Sequence, residues 1–194
     1  MSAMAQDVWT RTCILGTRCG RHMMVKLRVW FYDPTKDSDG LFNKLVSKLD
    51  GPFCHCELQF PDDASCSIYM GTNVTLKKRT FDPTNYTCVA VLCSKKEQEA
   101  AQLVAAHHQQ RGTPFSAFAM SYSMLWMPMP LASDTTFCSK LVADLLKTAN
   151  VLPQSFVSEK ITPSALHRIL TAPSSAAPRL LHAGAARSTP IGFR

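Results

Sequence analysis

Along the chain the apolar positions change period several times, and each change marks an element. From Val25 to Tyr32 the run VKLRVWFY alternates apolar and basic side chains, the period of a half-buried strand, and Asp33-Pro34 ends it. Leu41, Leu45, Val46 and Leu49 then recur at helical spacing, with Ser38 or Asp39 available as a cap and Gly51 past the end. Between Phe53 and Phe60 the period returns to two. Cys54, Cys56, Leu58 and Phe60 fall on one face, and His55, Glu57 and Gln59 fall on the other. After the turn Pro61-Asp62-Asp63 a second alternating run sets Cys66, Ile68 and Met70 against Ser65, Ser67 and Tyr69, so the two strands predict a hairpin. Further strands are predicted at Thr75 to Phe81 and at Tyr86 to Cys93, the latter a nearly continuous apolar run suited to a buried position.

The second half reads as mostly helical. Residues 95 to 110 place Ala100, Leu103, Val104 and His107 on one side, with Ser94 as cap, Glu97 three residues on, and Gly112 as the stop. Thr113 to Ser133 carries many aromatic and Met residues between prolines and predicts a long loop over a cleft. Asp134, Thr135 or Thr136 is placed to cap a helix running to about Asn150, and Pro163 opens a last helix, Thr162 to Leu170. Residues 1–23 and 171–194 hold no sustained period, so they read as a flexible leader and a basic, disordered tail around one domain at 24–170. The expected class is α+β: an antiparallel or mixed sheet of about five strands on at least three helices.

Composition narrows the picture. A chain of 194 residues, 46% hydrophobic and 18% charged, can bury one full core. The formal charge of +7 raises the question of an anionic partner, a membrane surface or nucleic acid. Arg11, Arg18, Arg21, Arg179, Arg187 and Arg194 lie in the unpatterned ends, however, and no basic stripe interleaves with aromatics in the patterned part. A specific nucleic-acid partner is therefore not expected. The start MSAMAQDVWTRTC lacks the apolar core of a secretory signal, so the eight cysteines read as reduced thiols in a cytoplasmic setting. Pro128 and Pro130 make the longest apolar stretch a poor membrane span.

Candidate chemistry centres on the helix near residue 140. Leu141, Val142, Leu145, Leu146 and Ala149 follow Cys138 at intervals of three, four, seven, eight and eleven, so Cys138 faces the same interior as the packing stripe. In the first turn its thiolate would meet unpaired backbone N–H groups and the positive end of the helix dipole. Those N–H groups could also donate to an oxyanion. The base expected within reach is His55, the one histidine on a predicted strand, with Glu57 on the same face to fix the imidazole. Ser65, Ser67, Tyr69 and Gln59 are weaker candidates for that third position.

At these residues the chain resembles a known family. Phe-Cys-His-Cys-Glu-Leu (53 to 58) on a strand and Phe-Cys-Ser-Lys-Leu-Val-Ala (137 to 143) on a later helix resemble the circularly permuted NlpC-type branch of the papain-like superfamily, which includes lecithin:retinol acyltransferase-like proteins and a bacterial and poxviral group. The resemblance implies a small sheet on helices and cleavage or transfer of an amide, thioester or ester acyl group, with Cys138 as nucleophile, His55 as base and Glu57 as polar partner. It implies no metal or organic cofactor, and a viral origin is consistent with it. Where that family often has Gly-x-Pro-Tyr before the Cys helix, this chain has Gly112-Thr113-Pro114-Phe115, without the hydroxyl.

Two other assignments compete. Cys54, His55, Cys56 and Cys66 are residue types that zinc prefers, but strand alternation points Cys54 and Cys56 away from His55, and no Cys-x-x-Cys pair is present. Phe115, Tyr122, Trp126 and Met127 belong to an apolar, Met-rich stretch that could line a site for a lipid-like acyl chain or cover the core beside the cleft. The alternative to an enzyme is an inactive relative that uses this stretch and the basic tail to bind a protein or an anionic membrane.

Overall fold

The computed structural model describes residues 23–36, 51–125 and 134–172. Five strands, β1 (Met24–Tyr32), β2 (His55–Gln59), β3 (Ala64–Ser67), β4 (Thr75–Lys78) and β5 (Tyr86–Ser94), pair antiparallel throughout in the order β4-β3-β2-β1-β5. Four α-helices are present among the described residues: α1 (Lys95–Gln110), α2 (Ala117–Leu125), α3 (Cys138–Thr148) and α4 (Pro163–Thr171). The architecture is α+β, and the sheet is antiparallel rather than mixed. The predicted leader, the helix at 41–49 and the tail lie outside the described residues.

Alternation along the strands decides what each face does. Leu27, Val29 and Phe31 of β1, Cys56 and Leu58 of β2, and Cys66 of β3 bury one face together with Ile68, against Ala101 and Ala105 of α1 and Leu141, Val142, Leu145 and Leu146 of α3. Each fully buried leucine contributes about 1.5–3 kcal/mol. The packing side of α1 is rotated from the expected one. Gln98, Ala101 and Ala105 face inward while Leu103 is exposed, because small alanines let the helix lie close to the sheet. Its predicted Ser94–Glu97 capping box is present.

The opposite face is covered by the chain itself. Because β5 pairs with β1, on the far side of the sheet from β4, residues 79–85 must pass β3, β2 and β1. Gln59 Nε2 donates to the Arg79 carbonyl at 3.0 Å, Trp30 stacks on Phe81 with centroids 4.6 Å apart, and Asp33 N–H donates to Asn85 O at 2.9 Å. This strap shields the face that carries His55, Glu57 and Gln59.

Two further expectations are corrected. β5 is an edge strand, and Cys88, Ala90 and Leu92 are exposed on its outer side. An apolar run alone does not separate a buried strand from an edge strand whose inner residues are buried. The stretch read as a loop from 113 to 133 holds α2, which Ser116 starts by accepting the Ala119 N–H at 3.1 Å, since the prolines lie outside that segment. No helix among the described residues is long and apolar enough to cross a membrane.

The entry to β2 is fixed from α4. Ser164 Oγ accepts the Phe53 N–H at 3.1 Å and donates to the Phe53 carbonyl at 3.2 Å. Gly51 sits at φ +127°, and a Cβ there would lie 3.0 Å from the Ser164 side chain. Gly51→Ala is expected to cost about 1–3 kcal/mol, read as a lower urea midpoint with unchanged slope.

Candidate active site

Cys138 is the first residue of α3, whose N-cap is Phe137 in extended conformation with no side-chain cap hydrogen bond. The expected caps at Asp134, Thr135 or Thr136 are therefore not used. Thr136 is otherwise engaged: its N–H donates to Pro114 O at 3.2 Å, its carbonyl accepts the Ser116 N–H at 2.8 Å, and it bridges Phe115. Phe137 is fully buried with Ala119, Met120 and Phe115. The start of α3 is thus pinned by backbone pairing and an apolar anchor, and no cap side chain takes up its first-turn amides. That leaves the positive end of the helix to the sulfur.

The sequence-predicted partners come together there. His55 is the first residue of β2, and its imidazole and the Cys138 thiol shift one another's titration. Cys138 is 4% exposed and His55 8%. Burial by itself pushes the imidazole down, but its interactions with Cys138 and Glu57 together outweigh it and raise its pKa to about 9. Cys138 moves the opposite way, well below the ordinary thiol value. The neighbouring Cys56 thiol is the first cause, burial opposes, and His55 and the Cys56 backbone favour the anion further. The β2–β3 ladder extends only over Leu58↔Cys66 and Gln59↔Ser65, so Cys56 lies beyond the ladder and its N–H is open to the sulfur. Cys56, Cys66, Cys88 and Cys93 are all raised, burial being the first cause in each, with Cys66 at about 12. The two shifts run in the sense that favours the thiolate–imidazolium form of the pair.

Glu57 is fully buried, and its Oε1 lies 3.4 Å from His55 Nε2. The contact is off the angle of a good hydrogen bond, and Nε2 has no hydrogen-bond partner among the described residues, so it is an electrostatic one. Three further groups hold the carboxylate: Ser65 Oγ donates at 2.9 Å, Tyr69 OH at 2.5 Å, and Arg79 Nη1 also donates. Burial favours its neutral form, but His55, Tyr69 and Arg79 together keep its pKa low. Tyr69 does a second thing. Its ring stacks on His55 with centroids 4.4 Å apart, whereas the Ser67 hydroxyl pairs with Thr75. Gln59 is bound to Trp30 and Arg79 and takes no part.

Arg79 was missed by sequence reasoning. It follows Lys77-Lys78 at the end of a strand and resembles a solvated basic run, yet its guanidinium lies against Tyr69, Phe81 and Tyr86 and donates to Tyr69 OH and Tyr86 OH. The available signal was Glu57 itself, because a carboxylate on a covered strand face needs a cation. Of the predicted substrate contacts, Phe115 is half-buried beside Phe137. Tyr122 is in α2 with only its backbone described, and Trp126 and Met127 lie outside the described residues. Comparison with known proteins returned no matching family model, no matching curated protein and no matching solved structure.

Proposed function

We propose that this chain is a thiol hydrolase or acyltransferase of permuted papain-like type, acting on an amide, thioester or ester through a thioester intermediate. The observation that carries this reading is the buried chain of contacts Cys138–His55–Glu57 at the open N-terminus of α3. A buried cysteine that is only a small hydrophobe needs neither an imidazole nor a buried carboxylate behind it. The order of the parts, His-bearing strand before Cys-bearing helix, supports the permuted arrangement.

In the proposed reaction the Cys138 thiolate attacks the acyl carbon, and the charge that develops on the carbonyl oxygen is met by first-turn amides of α3. With Nε2 turned to Glu57, Nδ1 is the nitrogen available to the reacting groups. The imidazolium gives its proton to the leaving group as the tetrahedral adduct collapses to the thioester. His55, now neutral, takes a proton from water or an acceptor as it attacks the thioester, and the thiolate leaves. The substrate class is acyl-bearing: lipid, thioester or peptide amide.

The test is a panel of acyl thioesters, phospholipids and peptide amides, scored for acyl release by wild type and Cys138→Ala. One or more substrates turned over by wild type alone supports the reading, and equal rates from both proteins oppose it. The pH profile has a stated sign. Activity needs Cys138 deprotonated and His55 protonated, so it rises with pH through the depressed thiol pKa and falls as His55 loses its proton near pH 9. An alkaline limb near 6.5 would contradict the pairing.

A further inference from the structure

Glu57 Oε1 is crowded, and what crowds it decides how the imidazole is held. Tyr69 OH donates to this oxygen at 2.5 Å, Arg79 Nη1 donates to it as well, and Ser65 Oγ donates to Oε2 at 2.9 Å. A carboxylate oxygen offers about two lone-pair positions, so Tyr69 and Arg79 fill Oε1. His55 Nε2 lies 3.4 Å from the same oxygen and is buried, yet it is left without a hydrogen bond among the described residues. The phenol is a donor here because burial and the Glu57 charge hold it protonated, and it accepts from Arg79 Nη1 in turn.

The same side chain covers the imidazole. The Tyr69 and His55 rings stack with centroids 4.4 Å apart and planes 24° from parallel. A turn fixes the Tyr69 backbone: its N–H donates to Thr72 Oγ1 at 3.1 Å, and its carbonyl accepts from the Thr72 hydroxyl at 2.9 Å and the Thr72 N–H at 3.0 Å. Thr72 O accepts the Phe115 N–H at 3.0 Å, and Phe115 bridges Thr136 just before the start of α3. The segment that seats α3 therefore also seats Tyr69.

We propose that Tyr69 is a positioning residue whose ring fixes the plane of the His55 imidazole while its hydroxyl, with Arg79, occupies Glu57 Oε1, so that the imidazolium is oriented beside the carboxylate without being bonded to it. The inference rests on the reading of His55 as the acid and base of the site. An imidazolium hydrogen-bonded to a buried carboxylate would hold its proton too tightly to serve well as a general acid. The two parts of the Tyr69 side chain act on the imidazolium in opposite directions. The face of the ring attracts the cation, and the hydroxyl withholds the carboxylate oxygen from Nε2. The other groups around the imidazole are Glu57 on its own strand, Cys138 of α3, and Tyr32, its register partner on β1. Arg79 acts on it through Glu57 and Tyr69, with Tyr86 OH bound to the far side of the guanidinium.

The experiment follows the His55 ring C–H signals by NMR as pH is raised, in the full chain and in its Tyr69→Phe and Tyr69→Leu variants, with His55→Gln to assign them. Tyr69→Phe keeps the ring and frees a position on Oε1, so its midpoint should lie above that of wild type by about half a pH unit or more. Tyr69→Leu loses the ring as well, so its midpoint should lie below that of Tyr69→Phe by about half a unit. A Tyr69→Phe midpoint at or below that of wild type overturns the proposal, and so does a Tyr69→Leu midpoint at or above that of Tyr69→Phe. Tyr69 is 37% exposed, so Phe at this position empties no core space, and its shift decides the matter by itself should the Leu variant not fold. Turnover of the acyl panel by wild type separates this inference from the reading it rests on. A flat series in a protein that turns over a substrate overturns the role of Tyr69 alone, whereas the expected series in a protein that turns over none supports that role and counts against acyl transfer.

Discussion

Cys138→Ala is expected to bring acyl release down to the uncatalysed background, and His55→Ala to do nearly the same, each on the order of 10⁴-fold or more. The two losses should not add. Without the imidazole the sulfur loses the positive charge that helps to ionise it, and without the sulfur the imidazole has no nucleophile to serve. A double variant is therefore expected to match Cys138→Ala within a few-fold, measured on the best substrate of the panel. Cys66→Ala is the useful control, because Cys66 lies in the same core with its thiol pushed up to about 12 by burial and has no part in the chemistry. It should lose some stability and little activity.

The second large effect falls on the fold. Arg79→Ala is expected to destabilise by about 3 kcal/mol, because it removes the cation from a fully buried carboxylate and leaves the negative charge of Glu57 to Ser65, Tyr69 and His55. Losing a salt bridge on the surface would cost far less. The Arg79 side chain is about a quarter exposed, but its partner is not exposed at all, and the partner's desolvation sets the cost. Packing is lost as well, since the guanidinium covers Tyr69, Phe81 and Tyr86. The double variant Arg79→Met with Glu57→Gln should recover most of the urea midpoint, because both charges go together. It should not recover activity, because the imidazolium then lacks its carboxylate. A small effect of Arg79→Ala on stability would mean that Glu57 is not held as an anion.

What could be read from the sequence, and what could not, follows the range of the forces involved. Strand alternation placed His55, Glu57 and Gln59 on one face and Cys56 and Leu58 on the other, since a side-chain period of two is local to the chain. The helical stripe Leu141, Val142, Leu145 and Leu146 gave α3 its buried face, all of it now in the core. The cap of α3 was misassigned because Asp134, Thr135 and Thr136 all look like caps, and only tertiary pairing to Pro114 and Ser116 commits Thr136 elsewhere. β5 was misassigned as buried because its place at the sheet edge depends on strand order, which alternation does not encode. Arg79 was missed for a related reason. It pairs with Glu57, 22 residues away in the chain, and a strap crossing the sheet has no periodicity of its own. The α2 helix went unread because its small and hydroxyl residues resemble loop composition and flanking prolines dominate the stretch.

The central claim is that Cys138 rests as a thiolate paired with the His55 imidazolium, and the pH dependence of its alkylation tests this most directly. Iodoacetamide labelling of Cys138, followed peptide by peptide in wild type and His55→Gln, should show a midpoint well below the ordinary thiol value in wild type and a rise toward that value in the variant. A wild-type midpoint at or above 9, unmoved by His55→Gln, would contradict the account.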